Sequence, residues 1–453
     1  MNARQQALCA MVDKHKDMIL QAERYIWAHP QTGYREWEAS DYLAEKFTAL
    51  GYDVHKAGNI PGFYADIDTG KPGPRILVFG ELDALYCESH PEAREGVVHA
   101  CGHNCQSAAL LGFAAALKEP GALDGMCGSI RLMSVPAEEL IEIEYRESLR
   151  KQGVIKYLGG KVEFMSRGYF QGCDIAFMLH TGGSSPDTDY AGSRGQNGCM
   201  AKTVTYKGKA AHAGGGPHNG INALYAASLG MQAVNSLRET FKDEDHIRFH
   251  PIVTAGGTAV NVIPAETKIE TYVRGASMAA IKDANTRINR ALTGAALAMG
   301  AGVELMDRPG YAPVNADMNL LDLYEQVAGQ LVGPERVKVN RSRWGTGSTD
   351  MGDVSCVMPA MHPSCSGASG TAHGKDYFVT DPYRACCNAA KLYMALCDAL
   401  LRDEAAAAKK ILDSFTPLYP SIEAYLQEMD SMIMDKDAVR YDENGNATVD
   451  FKN

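Results

Sequence analysis

Apolar positions along residues 3–50 recur at helical spacing, with a break at HPQTGYREWE, and predict helix that stops at Gly51. Beyond it, to about residue 190, the pattern changes to short apolar runs bounded by Gly or polar residues: RILVFG (75–80), SIRLMSV (129–135) and DIAFML (174–179). Between the first two lies SAALLGFAAALKE (107–119), which is helical by composition. Strand, helix and strand at this spacing predict an α/β fold, with a largely parallel sheet covered by helices.

The character shifts near residue 196. CMAKTVTYKG alternates as a strand, HNGINALYAASLGMQAVNSL reads as a helix, HIRFHPIVTAGG and TKIETYVRG read as strands, and 278–299 is again helical. That order predicts a small α+β unit with its helices on one face. The chain is thus expected to hold a discontinuous large domain, 1–195 and 306–453, interrupted by an inserted domain, 196–305. The last 40 residues read as an extension with a loose end. A chain of 453 residues is also long enough for two cores.

Composition narrows the function classes. Basic residues number 44 against 55 acidic, a net charge of −11, which excludes a general nucleic-acid or anionic-membrane binder. The N-terminus turns charged within four residues, and no run of about 18 apolar residues occurs, so neither export signal nor membrane span is expected. Twelve scattered cysteines in such a chain should be reduced, which points to the cytoplasm.

The chemistry gathers at strand ends, where open α/β sheets place their ligands. RILVFG runs into Glu81, Leu82 and Asp83; SIRLMSV into Pro136, Ala137, Glu138 and Glu139; DIAFML into His180 and Thr181. One such coincidence is ordinary, because polar residues often end strands. Three are not. HACGH (99–103) adds Cys101 and His103 on either side of one Gly, so a tight loop can aim a thiolate and an imidazole at one ion. That pair suits zinc. Adjacent Glu138 and Glu139 allow one carboxylate to bind metal while the other moves a proton.

ELDALY, HACGHN, PAEE, LHTG, GKAAHAGGGPHNGINAL, GGTAVNVIP and GTAHGKDY, in this order, resemble the amidohydrolase branch of the aminoacylase and glutamate-carboxypeptidase family of metallopeptidases. GSTDMGDVS (347–355) leans towards its aminobenzoyl-glutamate and dipeptidase-like members. The resemblance implies a pair of divalent ions, zinc or alternatively manganese, held by Cys101, His103, Glu139, His180 and His373. It implies that Glu138 is the general base and that Asp83 orients a ligand. The inserted domain becomes a lid carrying a homodimer contact, with His212 reaching the reaction centre and Asn261 and Arg274 holding the substrate carboxylate. The implied substrate is a small N-acyl or N-aroyl amino acid. A dipeptide is the alternative within the family, and a non-catalytic metal-binding scaffold the alternative outside it.

The chain departs from the resembled pattern in places. Gln106 stands where many relatives have His, Glu81 where they have Asp, and Tyr86 where they have Pro; the spacer from Glu139 to His180 is long and charged. Glu81 or Asp353 could face a free substrate amine in a dipeptidase. His29, His99, His218 and His362 read as structural or solvent-facing, Cys105 as core, and Gly214–Gly216 as a turn in the lid.

Overall fold

The strand Arg75–Glu81 is buried at every position from Ile76 onward, as the centre of a parallel sheet requires. In this computed structural model, which describes residues 1–183, 185 and 187–451, it pairs in parallel with Ser129–Val135 on one side and Ile175–Phe177 on the other. Ala360–Met361 adds a further parallel strand, while Phe63–Asp68 and Val54–Lys56 close the opposite edge antiparallel. The fold is therefore α/β with a mostly parallel sheet. The expected N-terminal helix is three helices, Ala3–Asp13, Lys16–Ala28 and Trp37–Ala49, and Gly51 follows with φ +80°. The Ala-rich run is the helix His103–Leu117, every residue of which is buried. It packs against the central strand, so its start lies close to the strand ends.

DIAFML forms a shorter strand than expected. After Phe177 the chain leaves the sheet: Leu179 N donates to the Tyr393 hydroxyl at 2.9 Å, and His180 opens a strand of a second sheet, His180–Gly183, parallel to Ser364–Ser369. His180 thus sits where the chain passes from one sheet to the other.

The chain divides into two compact units: Met1–Gly195, Val314–Trp344 and Thr349–Ile422 form one, and Gln196–Pro313, Gly345–Ser348 and Glu423–Asn453 the other. In the second, Gly198–Lys207, Glu266–Gly275 and Gly302–Tyr311 form an antiparallel sheet, on which the helices Ala223–Asn235 and Met278–Ala298 pack. The expected boundary at 305/306 falls inside the strand Gly302–Tyr311. Its signal is masked because the inward position after Val303 and Leu305 is Asp307, a buried carboxylate paired with Lys202 and with Asn285 and Asn289.

The C-terminal extension was expected with the large domain. Instead Met434–Tyr441 pairs with Gly302–Tyr311, Val439 opposite Val303, and Ala447–Val449 folds back on it. The final two residues of that extension lie outside the described residues. The hairpin buries Ala438 and Val439 and covers the backbone of what would be an open sheet edge. Deleting residues 434–453 should lower the thermal midpoint and produce concentration-dependent self-association, read by calorimetry and sedimentation. Unchanged stability and mass would show that the edge needs no cover. Among the described residues, no helix is long and apolar enough to cross a membrane.

Candidate active site

Three strands of the first unit deliver Glu81, the Glu138–Glu139 pair and His180, and the loop before helix His103–Leu117 delivers Cys101 and His103. The ligand atoms of Cys101, His103 and His180 all lie within 4.8 Å of one another, and so do those of Cys101, Glu139 and His373. Cys101 belongs to both groups. The five residues expected to hold metal are thus brought together around one thiol.

Local backbone is bent to achieve this. Gly102 has φ +84°, and a Cβ there would meet Tyr377 Oη at 2.5 Å and Thr181 Cβ at 2.6 Å. Only glycine lets Cys101 and His103 turn back on each other so tightly. Ala137 and His373 also take positive φ, 59° and 64°, directly before Glu138 and at a candidate ligand. Each such residue costs on the order of 1–3 kcal/mol and persists only where its surroundings fix it. His373 is fixed by its own N–H, which donates to Ala100 O at 2.9 Å. The loop around Ala137 is fixed by Glu36 Oε1, which accepts from Ala137 N at 2.8 Å, and by the buried Arg146, which donates to the carbonyls of Ala137, Leu158 and Glu139.

The imidazoles are oriented for metal binding. His103 Nδ1 faces Asp83 O at 2.9 Å and Asp83 Oδ1 at 3.1 Å, and His180 Nδ1 faces Thr181 O at 2.9 Å. Protons on both Nδ1 atoms leave both Nε2 atoms as lone-pair donors, the usual arrangement behind a ligating histidine. Asp83 also accepts from Glu139 N at 2.7 Å, so one carboxylate orients two candidate ligands. Burial alone would raise Asp83; its hydrogen bond to His103 and the His103 charge bring it below the ordinary range.

The donor set fits divalent ions. Cys101 Sγ is 3.3 Å from His180 Nε2, and His373 Nε2 is 3.1 Å from Glu139 Oε1. Two donors to one ion leave about 3.0–3.6 Å between them. Among the described residues, His103 Nε2 and Glu81 Oε2 are buried without a hydrogen-bond partner and face each other at 3.3 Å. Burial, and after it the charges of Glu81 and Glu139, push the Glu138 carboxyl well above the ordinary range. Glu138 Oε2 lies 3.9 Å from His103 Nε2, facing the same space as the ligands.

Several groups here had no signal in the sequence. Lys161, from the charged spacer, is fully buried; its Nζ reaches Glu81 Oε1 at 2.5 Å and pairs with Asp350. Glu81 is therefore engaged by a cation, and Asp353 is fully buried in the helix Met351–Ser355. His362, read as structural, packs edge-on to His180 with ring centroids 5.6 Å apart. Glu36, pushed up to about 8 by burial and the Asp83 charge, sits behind the Ala137 loop. Their partners are up to 189 residues away in sequence, so no spacing pattern could announce them.

The remaining candidates lie in the second unit. His212 bridges Val262, and Ala213 N donates to Asn261 O at 2.9 Å, so His212 and Asn261 stand on neighbouring segments, both exposed. His212 Nδ1 accepts from Gly214 N at 3.1 Å and Gly215 N at 2.9 Å. The ring proton must then be on Nε2. Arg274 is not with them. It lies at the far end of Glu266–Gly275, opposite Cys199, where it donates to Ser348 Oγ at 2.9 Å.

The sequence matches the peptidase family M20/M25/M40 over residues 62–399. It is 30% identical over 384 residues to the Xaa-Arg dipeptidase of Homo sapiens, covering 81% of this chain and 80% of that one. It is 29% identical over 291 residues to one of the chains of the p-aminobenzoyl-glutamate hydrolase of Escherichia coli (strain K12), covering 62% of this chain and 55% of that one. A dinuclear metal-binding peptidase from Bacillus subtilis has the same fold, with a TM-score of 0.64 at 19% identity over 86% of this chain and 99% of that one. The chain belongs to the peptidase family M20/M25/M40 and is a metal-dependent peptidase or amidohydrolase.

Proposed function

We propose that the protein hydrolyses the amide bond of a small N-acyl or N-aroyl amino acid, such as an aminobenzoyl-glutamate-like conjugate. The observation that carries this reading is the pair of metal-ligand groups sharing Cys101, with Glu138 beside them. Cys101, His103 and His180 hold one ion, and Cys101, Glu139 and His373 the other. Zinc suits the thiolate and imidazoles; manganese is the alternative. When bound, the ions polarise the scissile carbonyl and acidify the attacking water. Glu138 takes the proton of that water and passes it to the departing amine. His212 donates Nε2–H to the developing oxyanion, and Asn261 and Arg274 hold the substrate carboxylate. A half-buried Cys101 thiol that must stay reduced suits the cytoplasm.

A dipeptide is the second reading, favoured by the likeness to the Xaa-Arg dipeptidase over most of the chain. Against it, the acids that could face a substrate amine are occupied or buried: Glu81 by Lys161, Asp353 in its helix. Acyl amino acids tested against dipeptides with the metal-loaded protein decide between them. Dipeptides alone being turned over would overturn the first reading.

The metal assignment has its own test. Purified protein should carry about two divalent ions per chain, and Cys101→Ala should lower both because the thiol belongs to both groups. Elemental analysis checks this. Full turnover in strong chelator with no metal present would overturn the assignment.

We further infer a homodimer formed through the second unit. Among the described residues, the strand Ile252–Ala255 pairs on one side only, with Glu266–Gly275, and it is exposed along its length. Tyr225 and Leu229, one helical turn apart, are exposed too, as are Val260 and Val262. An open edge beside exposed apolar side chains fits a second copy of the same strand.

A further inference from the structure

The geometry points to Glu81 as a further ligand of the ion held by His103, a carboxylate outside the five-residue set. Glu81 ends the central strand with its side chain fully buried. Its two oxygens are in different situations. Oε1 is 2.5 Å from Lys161 Nζ, whereas Oε2, which has no hydrogen-bond partner among the described residues, lies 3.3 Å from the buried His103 Nε2.

With the His103 proton on Nδ1 against Asp83, the facing atoms are two lone-pair donors. Such atoms sit that close only where positive charge lies between them: a second ring proton, which makes them an ion pair, or a metal ion. A single divalent ion about 2.1 Å from each, at tetrahedral or octahedral angles, leaves about 3.0–3.4 Å between the donors. The observed 3.3 Å falls in that range. Glu138 Oε2, at 3.9 Å from the same nitrogen, stands further back.

Lys161 fits this role for Glu81. By holding Oε1 it turns Oε2 towards His103, and with Asp350 as its second partner it offsets the charge of a site crowded with carboxylates. Position 81 is also where the chain carries Glu rather than the usual Asp, and the extra methylene supplies the reach. An added oxygen donor makes that ion's shell harder, which strengthens manganese binding relative to zinc.

The inference rests on the proposed two-ion site, so wild-type protein is the control for that reading. Metal-free wild type, Glu81→Gln and Glu81→Asp are titrated calorimetrically with Mn2+ and with Zn2+. Glu81→Asp keeps the charge and the Lys161 partner but shortens the reach by one methylene. Wild type should bind two ions, and both variants should bind one of them at least ~10-fold more weakly, with the larger loss for Mn2+. Circular dichroism checks the fold. Lys161→Met, which leaves Glu81 in place but no longer steered, should weaken that ion less than Glu81→Gln does. Two ions bound with unchanged affinity in both Glu81 variants would overturn the inference. So would a folded Lys161→Met protein that loses metal to the same extent as Glu81→Gln, since Glu81 would then be only the lysine's counter-ion. Wild type that binds no ion would overturn the underlying site instead.

Discussion

Glu138→Gln protein keeps its metal and loses turnover by about 10²–10⁴-fold, the range for removing a positioned general base. Glutamine has nearly the shape of glutamate, so the loop that carries it should hold. That loop is fixed by groups other than the Glu138 side chain: Arg146 on the flanking carbonyls, Glu36 on Ala137 N and Asp83 on Glu139 N. What changes is the proton. A carboxamide cannot accept one near neutral pH. The surroundings of Glu138 are suited to taking one, because burial and the neighbouring Glu81 and Glu139 charges raise its affinity for a proton. A more basic carboxylate removes a proton from water more readily. Turnover of the active substrate and elemental analysis, on the same preparation, separate chemistry from binding. Parent-like turnover would assign the proton transfer to another residue. Loss of metal together with activity would make Glu138 a ligand.

The strand ends were legible because each follows an apolar run and carries polar residues that burial forbids in the run itself. Arg75–Glu81 and Ser129–Val135 form where their patterns place them, and HACGH opens the buried helix. The grouping of Cys101, His103, Glu139, His180 and His373 was legible only through motif order, since no local pattern says which distant residues will meet.

The spacer 140–170 was opaque for a physical reason. Its charged residues look solvated, yet Arg146 and Lys161 are fully buried, their charges satisfied by carbonyls and carboxylates from elsewhere in the chain. Burial of a charge depends on long-range partners, which hydropathy cannot register. The strand Gly302–Tyr311 and the C-terminal hairpin were hidden similarly. One carries Asp307 inward against Lys202, and the other is an edge hairpin with mostly exposed positions.

His212→Ala is expected to lower turnover by about 10²–10³-fold, the cost of one oxyanion donor. Mixing it with inactive Glu138→Gln should restore activity. The reason lies within the second unit. His212 and Asn261 stand beyond the Glu266 end of the strand Glu266–Gly275, while Arg274 stands at its other end. At about 3.3 Å per residue, the eight steps from Glu266 to Arg274 span roughly 26 Å, more than a small conjugate can bridge. If His212 and Arg274 both serve one substrate, they come from different copies of the chain. The open strand Ile252–Ala255 offers the surface through which two copies can join. The Gly214 and Gly215 amides hold His212 with Nε2–H outward, as a donor across such an interface must be. In a hybrid dimer, one site then has both Glu138 and His212 intact. Random exchange makes about half of all dimers hybrids, each with one working site. The measurement is turnover after the copies have exchanged, with exchange verified by mass on differently tagged chains. No recovery despite exchange would mean that His212 serves its own copy or takes no part in the reaction, and a fully active monomer would exclude action from the partner.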